Sequence, residues 1–225
     1  MLIIIIFALL QGFTEFLPIS SQGHLIAFDK FFELNLTNLS IHDATILAHF
    51  GSLLAVIIYY NKTIKDFIFS IKLIDRPDID KNSFLLVNII TSTIPVLLMG
   101  YLFSQLFNYD SENIIMIIAL SSITFGLLMF TVDSFSLRIK NQNSLSYLSA
   151  FYIGLFQCLA FFPGVSRSGI AITAARLLRF NRLDSAKISF LLSIPILGAV
   201  SIFGLKNLLL SNDESFTHLN LFSII

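Results

Sequence analysis

Apolar runs separated by polar breaks divide the chain into helical segments. Four of them, roughly 44–60, 84–103, 114–132 and 186–205, meet or approach the length of a bilayer-crossing helix, which takes about 20 apolar residues. Two further runs, 2–17 and 147–162, do not continue as spans. The first is cut by "PISSQG" and followed by the mixed segment 24–34; the second is cut by "PGVSRSG" and followed by the mixed segment 170–180. Each reads as an apolar helix, a break rich in Pro, Gly and Ser, and a second, shorter helix. The two regions look like copies, "QGFTEFLPISSQG" beside "QCLAFFPGVSRSG". Pro/Gly-interrupted segments at corresponding places in two halves are the sequence pointer to a binding site within a membrane. The expectation is an all-α polytopic membrane protein built as an inverted repeat with two re-entrant helix hairpins. It forms one integral membrane domain over 1–225, with repeat 1 at about 1–103 and repeat 2 at about 114–225.

Composition agrees with the pattern. Hydrophobic residues make up 56% and charged residues 12% of the 225, about half the charge of a soluble domain. Mean hydropathy is +0.84. The net charge is zero and no basic block occurs, so nucleic acid is not an expected partner. The single cysteine, Cys158, excludes an intramolecular disulfide. The first apolar run has no Lys or Arg before it and leads directly into polar, chemistry-bearing residues, so it reads as a retained membrane element rather than a cleaved signal.

Basic residues orient the segments. Lys62, Lys65, Lys72, Arg76 and Lys81 place the 61–83 loop in the cytoplasm, and Arg138 and Lys140 do the same for 133–146. Arg176, Arg179, Arg182 and Lys187 add the stretch 176–187. The 104–113 loop carries Asp110 and Glu112 without a basic residue and falls outside. The second hairpin then enters from the cytoplasm and the first from the opposite side, so both tips are expected to meet within the membrane.

The tips carry the chemistry. In "PGVSRSG", Arg167 lies between Ser166 and Ser168 where one helix ends and another begins. Free N–H groups and a positive dipole end suit phosphate there. Gly164 and Gly169 permit close backbone approach, and an arginine supplies a two-pronged donor. The bland alternative is a capped helix start with Arg167 reaching headgroups, but a buried arginine in a membrane is costly. In the first region Gln11 and Glu15 share one helix face, and Ser20, Ser21 and His24 follow the break at Pro18. A carboxylate alone in lipid would protonate; one facing an arginine tip has reason to stay ionised. The alternative is a polar cluster that glues helices.

Weaker signals surround these. His49, inside an apolar span, reads equally as a helix-packing hydrogen bonder or as a functional group. His42 and Asp43 read as helix-start residues, His218 as solvated tail and Asp133 as structural. No zinc-type spacing, Walker loop or dinucleotide fingerprint is present.

At these residues the sequence resembles the undecaprenyl-diphosphate phosphatase family associated with bacitracin resistance. The family's first motif, Glu or Gln, three residues, Glu, then "FLP-x-SS-x-GH", is matched by Gln11 through His24. Its second, "PG-x-SRS-x-x-T", is matched by Pro163, Gly164, Ser166, Arg167 and Ser168, with Ala171 where the family has threonine. Thr173 is the nearest hydroxyl, rotated about 200° on a helix. The resemblance implies a phosphatase that releases inorganic phosphate from undecaprenyl diphosphate, recycling a lipid carrier of peptidoglycan and cell-wall synthesis. It also implies a bacterial inner-membrane location, an outward-facing site, surrounding membrane lipids and a divalent cation, usually Mg2+, with Glu15 and Gln11 as its expected holders. It leads one to expect about two further spans beyond "LNLFSII". A homo-oligomer is compatible with all of this.

The expected catalytic residues are Glu15, Ser21, His24 and Arg167, with Gln11, Ser20, Gly164, Ser166 and Ser168 binding substrate. The leaving group is a stable lipid monophosphate, so alignment and charge neutralisation dominate. The nucleophile stays open among Ser21, His24 and a water activated by Glu15. The i, i+3 spacing favours Ser21 with His24 as base. The competing class is a prenyl-phosphate carrier or transporter without hydrolysis, since interrupted inverted repeats are also transporter architecture.

Overall fold

A computed structural model describes residues 2–32, 41–106, 113–136, 140–141 and 145–210. Asp110, Glu112, Arg138 and His218 lie outside the described residues. Nine α-helices occur among those described: α1 (Leu2–Thr14), α2 (Ser21–Phe32), α3 (Ile41–Tyr59), α4 (Asn61–Ser70), α5 (Lys81–Leu106), α6 (Ile114–Phe135), α7 (Tyr147–Gln157), α8 (Arg167–Leu177) and α9 (Arg182–Leu210). One bridge, Lys140 to Phe180, is the β-type pairing among the described residues. The protein is all-α.

Among the described residues, three helices are long and apolar enough to cross a membrane: Lys81–Leu102, Ile114–Phe135 and Arg182–Lys206. α3 with α4 makes a fourth if the pair counts as one span, although α4 bends 77° away. The sequence reading put a loop at 61–83; α4 occupies its first part. Ile64, Phe67 and Ile68 recur at helical spacing, and Phe67 is buried in the core. Charged residues on the rest of the helix hide this periodicity.

The helix starts have local causes. Ser20 caps α2, its Oγ accepting from the Gly23 N–H at 3.1 Å. Ser146 caps α7 through the Ser149 N–H, and Ser166 caps α8 through the Gly169 N–H at 3.1 Å. Asp80 caps α5 through the Ser83 N–H at 2.9 Å, and Asn181 caps α9 through the Asp184 N–H at 2.9 Å. Each cap satisfies an N–H that the helix leaves unpaired.

The largest core cluster joins Phe67 of α4, Ile89 of α5, Ala150 and Ile153 of α7, Ala171, Ala174 and Ala175 of α8, and Ile188, Leu191 and Leu192 of α9. Small residues let these helices approach closely, as expected where lipid offers no hydrophobic drive between helices. At Gly154 of α7 an added Cβ would collide with the Ser92 carbonyl of α5. α6 packs against α8 on one side and leaves Ile115, Met116, Leu120, Ile123, Leu127 and Phe130 exposed, as a lipid-facing surface would require.

Both regions are interrupted as the sequence predicts, with the helix ends and restarts falling a few residues earlier than the apolar pattern puts them. α1 ends at Thr14 and α2 begins at Ser21; α7 passes through a 3-10 turn, Cys158–Phe161, before α8 begins at Arg167. The two tips touch. Ser168 donates from Oγ to the Leu17 carbonyl at 2.7 Å, and Ser166 Oγ reaches the same oxygen at 3.4 Å.

Candidate functional site

Glu15 is the centre of the contact. It sits on the turn just after α1, 5% exposed. Gln11, one helical turn earlier, donates from Nε2 to Oε2 at 2.7 Å. Ser21, the first residue of α2, donates from Oγ to the same oxygen at 3.2 Å. Arg167, the first residue of α8, donates from Nη2 to Oε1. Three elements thus converge on one carboxylate, which a lone acid in an apolar setting could not sustain. The fourth neighbour is His49 of α3, whose Nε2 lies 3.5 Å from Oε2.

Two polar atoms of the cluster are buried without a partner among the described atoms: Arg167 Nη1 and Gln11 Oε1. One is a donor suited to an anion, the other an acceptor. Buried polar groups are rarely left unpaired without reason, and here both face a cluster built around charge.

A narrow cleft beside the pair is lined by Glu15, Ile19, Ser20, Ser21, Gln22, Val165, Ser166 and Arg167. A larger cavity of about 440 Å3 shares Ile19, Ser20 and Ser166 with it. Its remaining wall includes His24, Ile118, Phe125, Met129, Gly164 and Ile170, from α2, α6 and the second tip. Gly164 has φ +90°, a backbone setting that favours glycine, and a Cβ there would stand 2.5 Å from the Ile118 carbonyl oxygen. Ser122 of α6 fastens the tip by donating to the Gly164 carbonyl at 3.0 Å.

The sequence-predicted residues separate into groups. Gln11, Glu15, Ser21 and Arg167 meet directly. Ser166 and Ser168 are spent on the Leu17 carbonyl and on each other at 3.1 Å, so they join the tips rather than stand as free phosphate donors. Ser20 caps α2 while lining both cavities. The Ser21–His24 pair that the spacing favours is not formed among the described residues. His24 Nδ1 lies 2.6 Å from the Ser20 carbonyl, holding the ring towards the larger cavity, while Ser21 turns to Glu15. The start of α2 puts these two side chains on different walls. Ala171 packs into the core cluster, and Thr173 lines the larger cavity with its hydroxyl bonded to the Gly169 carbonyl at 2.8 Å.

The contact of His49 with Glu15 was not singled out by motif spacing; the available signal was an imidazole inside an apolar span. For a divalent cation, no group of three or more His, Cys, Asp or Glu side chains suited to a metal occurs among the described residues. Mg2+ bound largely through water and substrate phosphate needs only one or two carboxylates, and Glu15 is the carboxylate at this centre. The unpartnered Gln11 Oε1 beside Glu15 fits that more modest requirement.

Known proteins extend this picture. The undecaprenyl-diphosphatase of Pelagibacter ubique (strain HTCC1062) is 42% identical over 206 residues, covering 91% of this chain and 74% of that protein. That of Aliivibrio salmonicida is 40% identical over 204 residues, covering 88% and 74%, and that of Caldicellulosiruptor bescii 39% over 208 residues, covering 91% and 75%. The model of the family described as bacitracin resistance protein BacA matches residues 4–225. With both broken helices and their joined tips inside that match, the chain belongs to the bacitracin resistance protein BacA family.

Proposed function

We infer that this multi-pass membrane protein is an undecaprenyl-diphosphate phosphatase, hydrolysing its substrate to undecaprenyl phosphate and inorganic phosphate. The observation that carries this reading is the buried Glu15–Arg167 contact between the two tips, with the Ser21 hydroxyl on the same carboxylate and Arg167 Nη1 unpartnered. The names of the relatives support hydrolysis over carriage of the lipid.

Arg167 divides its labour. Nη2 holds Glu15, and Nη1 takes an oxygen of the terminal phosphate. The N-terminus of α8 adds backbone N–H groups and its dipole on the same side. Ser21 attacks the terminal phosphorus while Glu15, already its acceptor at 3.2 Å, takes its proton. The bond to the bridging oxygen breaks, and the lipid monophosphate leaves with the electron pair. Water then releases phosphate from Ser21. His24, with Nδ1 donating to the Ser20 carbonyl, presents Nε2 to the larger cavity as an acceptor that orients that water. A bound divalent cation would neutralise diphosphate charge, held by Gln11 Oε1 and Glu15. The apolar walls of the larger cavity, Ile118, Phe125, Met129 and Ile170, suit the first isoprene units.

The same reading has the hairpins entering from opposite leaflets of a bacterial inner membrane, with the site open to the outer side. Phosphate release from undecaprenyl diphosphate by this chain in detergent, against Glu15→Ala, tests the function. Equal release from both, or release from neither, overturns it.

A further inference from the structure

His49 is the buried ionisable side chain at the centre that the reaction sequence above leaves without a task. It lies on α3, 3% exposed, in the otherwise apolar stretch "LAHFGSLL". A buried imidazole within a span is costly unless its nitrogens are used. Both are. Nδ1 is 2.8 Å from the carbonyl of Thr45, one turn earlier. A carbonyl only accepts, so Nδ1 carries a hydrogen, and the ring is fixed with Nε2 towards Glu15 Oε2 at 3.5 Å. In the neutral ring Nε2 is then an acceptor, so this approach is a polar contact that becomes a hydrogen bond only with a proton between the two atoms, as when Glu15 has taken the Ser21 proton.

Three groups now surround Oε2. Gln11 approaches along α1, Ser21 from α2 and His49 from α3. In the proposed reaction Ser21 leaves this set when its oxygen goes to phosphorus. Oε2 then has Gln11 and His49 as its protein neighbours, and Oε1 must stay on Arg167 throughout. We propose that His49 is a positioning residue for Glu15: anchored by the Thr45 carbonyl, it closes the α3 side of the carboxylate and keeps Oε1 aimed at Arg167 while Ser21 moves. It touches neither the phosphate nor the lipid and acts only through Glu15. The inference rests on the reading of Glu15 and Arg167 as the reaction centre.

The test compares His49→Ala, His49→Phe and His49→Gln in the full chain, with and without Glu15→Gln, by steady-state phosphate release from undecaprenyl diphosphate in detergent. Misplacing a reacting group by about 1 Å costs on the order of 100-fold. His49→Ala should therefore lower kcat by about 10- to 100-fold with KM little changed. His49→Phe, which keeps bulk and loses the polar edge, should match it. His49→Gln, whose amide can meet Oε2, should recover to within about threefold of the parent. In the double variants no loss should appear beyond that of Glu15→Gln alone, because residues acting through one another are not additive.

Parental kcat in His49→Ala overturns the proposal, as does His49→Phe being as active as His49→Gln, which would reduce His49 to packing. Multiplying losses in the double variants overturn it too, since His49 would then act independently of Glu15. If His49→Ala does not fold, the Phe and Gln variants alone decide. An inactive parent, or an active Glu15→Gln, would instead sink the function itself, and so is distinguishable from failure of this inference.

Discussion

One helix carries two buried arginines with opposite fates. Arg167 begins α8 and Arg176 lies in its last turn. Each meets a carboxylate from another element. Arg176 is 1% exposed and fully engaged: Nε donates to Asp133 Oδ1 at 2.8 Å, Nη1 to the Phe180 carbonyl at 2.6 Å, and Nη2 to the carbonyls of Asp133 and Ser136 at 3.1 and 3.3 Å. Arg182 closes the same clamp from α9, its Nη2 on Asp133 Oδ2 at 2.5 Å. Arg167 holds one carboxylate oxygen and keeps Nη1 unpartnered. A saturated arginine ties α6 to the α8–α9 turn; the unsaturated one keeps a donor that the proposed reaction assigns to phosphate. Burial alone does not distinguish structure from function at the two ends of α8. Under the proposed function, the count of unpaired donors does.

Four experiments sharpen or break this contrast. The largest effect should come from Glu15→Ala, which removes the base and strands Arg167; kcat/KM for phosphate release should fall about 1,000-fold or more. Arg167→Lys keeps the charge and loses the two-pronged geometry, so activity should drop about 100-fold. Near-parental activity in that variant would remove Arg167 from phosphate binding.

Arg176→Met should behave in the reverse way. Asp133 keeps Arg182, but the Phe180 and Ser136 carbonyls lose their donor, so stability in detergent should fall by about 2–3 kcal/mol. Turnover per folded molecule should stay within a few-fold of the parent, read from activity normalised to the folded fraction. A selective loss of kcat would mean that the clamp reports on the site after all.

The smallest effect belongs to Asp80, which caps α5 away from both arginines. The Ser70 hydroxyl at 2.6 Å, then the Ser83 N–H, holds its carboxyl below the usual carboxylate range. A carboxyl with a lowered folded-state pKa contributes stability above its unfolded pKa, near 4, and loses it as pH falls through the lower folded value. Asp80→Asn should therefore lower the melting temperature slightly at neutral pH. The difference from the parent should shrink as pH drops below about 4, in paired thermal scans.

The sequence made the broken helices legible because Pro18, Pro163 and the serines around them interrupt apolar runs, and each interruption lies where a helix stops. It marked Glu15 and Arg167 because isolated charges in apolar segments are expensive. It did not reveal α4, whose short apolar stripe is interleaved with Lys62, Lys65 and Asp66. The Ser21–His24 contact that spacing favours is not formed because spacing along a helix says nothing of competing partners: the Ser20 carbonyl takes the imidazole and Glu15 takes the hydroxyl. Asp133 reads as structural from the sequence, but its partner Arg176 lies 43 positions away, beyond any local pattern.

Local patterning, then, determined the helical class, the breaks at both tips and the residues of unusual cost, because these follow from periodicity and from the price of charge in an apolar medium. Only the tertiary structure decided which of those residues meet. Bringing α1, α2, α3 and α8 onto one carboxylate depends on long-range packing, such as Ser168 on the Leu17 carbonyl 151 residues away, and a sequence read along its length carries no measure of that closeness.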